Sequence, residues 1–100
     1  MDVEALQKFC KKLPAVTEDI KWGHDLCFSV GGKMFCVTGL NGDVKASLKV
    51  TDEEFEELCS RNGIIPAPYM ARHKWILADS GSFSRKVWEH YIRQSYELVK

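Results

Sequence analysis

The sequence predicts an α+β domain in which an antiparallel sheet carries helices packed on one face. Three observations support this. Residues 3–12, 51–62 and 83–99 repeat their apolar side chains at helical spacing. Residues 20–50 alternate like strands and are punctuated by glycine pairs, and 73–79 alternate again. The order α, several β, α, β, α is that of a sheet with one helical layer. At 100 residues, 45% hydrophobic and 28% charged, the chain suits a single domain, 1–100, with a small core.

In the first element Val3, Leu6, Cys10 and Leu13 share a helical stripe, and Pro14 stops it. From Ile20 onward Gly23, Gly31-Gly32 and Asn41-Gly42 are hairpin signals. If the last two pairs are both two-residue loops, Cys27 faces Cys36, Phe28 faces Phe35, Val37 faces Ala46 and Phe35 faces Leu48. Leu26, Phe28, Val30, Phe35, Val37, Ala46, Leu48 and Val50 then share the buried face. Cys27, Ser29, Met34, Cys36, Thr38, Lys45, Ser47 and Lys49 share the other.

In "TDEEFEELCSRNG", Thr51 and Glu54 have capping-box spacing, Phe55, Leu58 and Cys59 are the apolar set, and Asn62-Gly63 is the stop. Its acidic run reads as a solvated face favoured by the helix dipole rather than a cation site. "GIIPAPYMARHKW" is stiff, because Pro66 and Pro68 and the residues before them disfavour helix. It should carry the chain at a fixed angle and place Tyr69 and Trp75 over the sheet edge. "HKWILAD" follows as a strand with Trp75 and Leu77 on one side and Lys74, Ile76 and Ala78 on the other. Ser82 or Ser84 then caps a long helix through Val87, Trp88, Tyr91, Ile92, Ser95 and Val99.

Several function classes are disfavoured. The net charge is zero and the pI near 6.8, far from the footprint of a dedicated nucleic-acid binder. The balance is uneven, however. Residues 1–60 hold seven Lys/Arg against eleven Asp/Glu, a net −4, and residues 61–100 hold seven against three, a net +4. Cys10, Cys27, Cys36 and Cys59 form no C-x-x-C pair, and His24, His73 and His90 lack metal-ligand spacing, so neither a metal nor a cofactor is expected. No apolar run is long enough to span a membrane and the N-terminus is unlike a signal peptide. The expectation is a cytoplasmic protein with reduced thiols and a monomeric state.

No catalytic constellation emerges. His90 and Ser95 lack a nucleophile elbow, and His24 beside Asp25 is set aside because adjacent residues usually point apart. The expectation is a protein that is not an enzyme.

"IKWGHDLCFSVGGKMFCV", "SLKV", "GIIPAPYMARHKWI" and "IRQSYELV" together resemble the MmcQ/YjbR family, in order and over nearly the whole chain. The resemblance implies a CyaY-like fold of double-wing type, for which DNA binding is proposed. Frataxins share the broad architecture and bind iron through an acidic first helix. Here Asp2 and Glu4 stand against Lys8, Lys11 and Lys12, so iron binding is not carried over.

Three roles follow. A DNA-binding module would contact phosphates through Lys45, Lys49, Arg72, His73 and Lys74. A small-molecule or peptide binding domain would use Trp22, Tyr69 and Trp75 as a pocket wall. An enzyme would need two titratable groups in hydrogen-bond contact inside that pocket.

Overall fold

The computed structural model describes residues 1–40, 42–68 and 70–100. Its elements run α1 (Val3–Lys11), β1 (Val16–Lys21), β2 (Asp25–Val30), β3 (Lys33–Gly39), β4 (Lys45–Lys49), α2 (Asp52–Cys59), β5 (Ile64–Pro66), β6 (Trp75–Asp79) and α3 (Arg85–Val99). The strands form one sheet in the order β1-β2-β3-β4-β6-β5, and every neighbouring pair is antiparallel. The expected α+β class is therefore the observed one. Two strands extend it: β1 starts at Val16, before the Ile20 read from sequence, and β5 forms from the first residues of the proline segment. Pro66 is tolerated there because β5 is an edge strand, with one side of its backbone free of ladder bonds.

The helices start where their caps place them. The Asp2 carboxylate accepts from the Ala5 amide at 2.9 Å, and Ser84, the nearer of the two expected serines, accepts from the Val87 amide at 3.3 Å. Thr51 and Glu54 complete the capping box in both directions. Each helix buries one stripe against the same side of the sheet: Val3, Leu6 and Cys10 from α1, Leu58 from α2, and Trp88, Ile92 and Tyr96 from α3. Fully buried Phe28, Phe35, Leu48 and Ile76 meet them from the strands. All three helices thus lie on one face.

The register of β2 and β3 departs from expectation. Val30 faces Lys33 and Ser29 faces Met34, as a Gly31-Gly32 loop requires, but Phe28 then faces Cys36 and Cys27 faces Val37. Phe35 is the extra residue of a β-bulge. Cys27 is therefore not opposite Cys36, although the turn has the expected length. The bulge also exchanges faces beyond it: Phe35 and Cys36 both point inward, Thr38 is buried, and Val37 turns outward. Cys36 instead meets Cys10 of α1 inside the core.

The bulge also explains Ser95. Its hydroxyl donates to the Phe35 carbonyl at 2.6 Å and accepts from the Lys49 amide at 3.0 Å. A side chain of α3 thus stands in for a missing rung between β3 and β4. Next to it, Tyr96 donates to the Pro14 carbonyl at 2.6 Å and pins the connection after α1.

The second hairpin is displaced as well: Val37 faces Ser47 and Thr38 faces Ala46, not Val37 with Ala46. Its expected turn includes Asn41, which lies outside the described residues. The described part of the connection is held by the N-terminus. The Val3 amide donates to the Gly42 carbonyl at 3.0 Å, and Val44, buried in the core, donates to the Met1 carbonyl at 3.3 Å.

Candidate functional site

The second face of the sheet lies opposite α1, α2 and α3. Beyond β5 the chain turns back across it as a strap. The Ala67 amide donates to the Trp75 carbonyl at 3.0 Å, a 3-10 turn follows at Ala71–His73, and Lys74 enters β6 in the left-handed conformation with φ 64°. Ala67 and Trp75 are buried outside the helical core cluster, Trp75 at 5% exposure. The prolines shape this strap.

Between the strap and the β1–β2 turn lies a pocket of about 650 Å³, a size suited to a small organic ligand. Met34 and Val37 of β3 and Ser47 of β4 line its floor, Pro68 and Met70 the strap side, and Trp22, His24 and Asp25 the turn side. A more open cleft of about 670 Å³ lies beside the start of α1, lined by Asp2, Glu4 and Asp43 among others. Its Asp2 is engaged as a cap, so the outer-face pocket, with its mainly apolar wall, is the candidate site.

Trp22 sits in the left-handed region with φ 55°, next to Gly23 at φ 77°. Glycine adopts this conformation freely, but for an L-residue the side chain crowds the backbone and costs about 1–2 kcal/mol. Trp22 is also 63% exposed, so its ring is not held there by burial. The turn is closed by the His24 amide donating to the Lys21 carbonyl at 3.3 Å.

His24 Nδ1 lies 3.0 Å from Asp25 Oδ1, so the adjacent pair set aside from the sequence is in contact. His24 is the last residue of a turn rather than part of a strand, so strand alternation does not separate the two. Lys21 faces Asp25 and Asp19 faces Cys27 across the β1–β2 ladder. Burial pushes the Cys27 thiol up; Lys21 opposes this, while Asp25 and Asp19 add to it.

Of the residues read as a pocket wall, Trp22 lines the pocket, Trp75 is buried on the same face, and Tyr69 lies outside the described residues. The residues read as a phosphate patch come together only in part. Lys49 Nζ donates to the His73 carbonyl at 2.6 Å, and Arg72 Nε donates to His73 Nε2 at 3.4 Å. Lys45 is four residues from Lys49, roughly 13 Å along β4, and faces Asp79. Lys74 Nζ lies 5.1 Å from the centre of the Phe55 ring of α2. Sequence reasoning missed Met34, Val37, Ser47, Pro68 and Met70 as pocket residues. All five lay within the family-like motifs, and Val37 was hidden besides by the bulge that turns it outward.

The family model described as YjbR matches residues 11–98. A crystal structure of a Deinococcus radiodurans protein, described as carrying the family domain DUF419, superposes with a TM-score of 0.86 at 27% identity, covering 96% of this chain and 76% of that one. The crystal structure of a protein from Pseudomonas syringae superposes with a TM-score of 0.81 at 21% identity, covering 100% of both chains, and supports the fold alone. No curated protein matches. Among the described residues no helix is long and apolar enough to cross a membrane.

Proposed function

The chain belongs to the YjbR family, and from that premise we propose that it is a binding domain, not an enzyme, whose small, largely apolar ligand occupies the outer-face pocket. Trp22 is the observation that carries this. An exposed aromatic ring in a costly backbone conformation, at the rim of an apolar pocket, contributes little to folding, and such outliers cluster at ligand clamps. The pocket holds one acid-base pair, but His24 is largely exposed to water, where a positioned proton carrier loses the advantage of a dry site.

The test is a panel of aromatic fragments added to labelled protein and followed by amide correlation spectra. Shifts should centre on Trp22, His24, Met34, Val37 and Ser47 and disappear in Trp22→Ala. No fragment binding, or shifts confined to the helical layer, would overturn the proposal.

A second role, DNA binding, is supported by the cluster of Lys49, Arg72 and His73 at one end of the same face. Asp25 and Asp79 lie on that face too, and among the described residues no basic helix is available to read base edges. Any DNA contact would therefore be to phosphates, weak and steeply salt-dependent, with each lost contact lowering the salt slope by about 0.9. Titration of duplex DNA at low and physiological salt, with wild type and a Lys45→Ala, Lys49→Ala variant, decides this. Equal slopes for both proteins would remove the role.

A further inference from the structure

Resting on the pocket proposed above, we infer that the His24–Asp25 pair selects the ligand: a planar aromatic heterocycle carrying an N–H or O–H donor. The Asp25 carboxylate can only accept, so the 3.0 Å contact assigns the proton to Nδ1 of His24. In its neutral form the ring is then held in one tautomer, with Nε2 as a hydrogen-bond acceptor. The same bond holds the ring in place although it is exposed.

The rest of the lining complements a flat ring with a donor at its edge. Trp22 offers an aromatic face, and Met34 and Met70 offer polarizable thioethers that make favourable contacts with aromatic rings. Val37 and Pro68 add apolar surface without hydrogen-bonding side chains, and the Trp22 indole can only donate. Among the described lining side chains, the oxygen and nitrogen acceptors are those of His24, Asp25 and the Ser47 hydroxyl. A ligand group that can only accept is disfavoured at Nε2, because two acceptors would then face each other.

Indole and N-methylindole are nearly the same size and shape and differ in one donor, so they separate the pair's role from that of the pocket. With amide correlation spectra of the full chain, indole should bind wild type about three- to tenfold more tightly than N-methylindole, the range for one net hydrogen bond. His24→Ala should bring that ratio to about one, and His24→Gln, whose side chain can accept, should restore part of it. Trp22→Ala should abolish the binding of both ligands together. Equal binding of the two by wild type, or a preference that survives His24→Ala, overturns the inference and leaves the pocket standing. If neither ligand perturbs the outer-face residues, the pocket falls with it.

Discussion

On the inner face of the sheet Phe28, Phe35, Leu48 and Ile76 are sealed beneath three helices, whereas on the outer face Trp75, Cys27 and Ala67 are the buried apolar residues among those described and Trp22 stands in solvent. The two faces share the same strands, so the difference comes from what is laid over them. The inner face converts apolar area into stability, at about 25 cal/mol per Å² buried. The outer face leaves apolar area uncovered and holds a tryptophan in a conformation that favours glycine. Residues on the inner face should therefore matter for folding, and those on the rim of the outer pocket for binding.

Replacing the central indole of each face should give the largest effect. Trp88 is fully buried and donates to the Ser80 carbonyl at 3.0 Å. Trp88→Ala should cost about 3–5 kcal/mol in denaturant unfolding. Trp75, under a thin strap, should cost less, about 2–3 kcal/mol by the same cavity reasoning. Equal losses would mean that the strap closes as tightly as the helical layer.

Next comes Ser95→Ala, which orphans the Phe35 carbonyl and the Lys49 amide together. A loss of about 2–3 kcal/mol is expected, since each unsatisfied buried group costs about 1–3 kcal/mol. A loss below half a kcal/mol would show that β3 and β4 close the bulge without it.

Thiol chemistry sharpens the comparison further. The hydrogen bond with Cys10, together with burial, pushes the Cys36 thiol well up, and burial also raises Cys27 and Cys59. Cys59 is the one of the four that is partly exposed. At neutral pH Cys59 should be alkylated first and Cys10 and Cys36 only on unfolding, as peptide mass analysis over time would show. The smallest effect should be that of Lys45→Ala, exposed on the outer face, within about 0.5 kcal/mol of wild type.

Much of the fold was legible in the sequence. The helical stripes, the Thr51 and Glu54 box and the Gly31-Gly32 turn are local signals, and each appears where local chemistry places it. The bulge at Phe35 was not, because alternation before and after it reads as one strand. Its stabilising partner, Ser95, lies 60 residues further along the chain. The same slip hid one of the three floor residues, since moving one residue out of register carried Val37 to the outer face and Cys36 to the core. Trp22 was legible as an aromatic beside a glycine, but its left-handed conformation depends on the β1–β2 turn and emerges only in three dimensions.

Trp22 is kept for binding at a cost in stability, and Trp22→Asn measures both sides at once. Asparagine tolerates the left-handed conformation better, so the unfolding free energy should rise by about 0.5–1 kcal/mol. Indole binding followed in the same samples should be lost. A variant that is destabilised, or one that still binds indole as wild type does, would contradict the account.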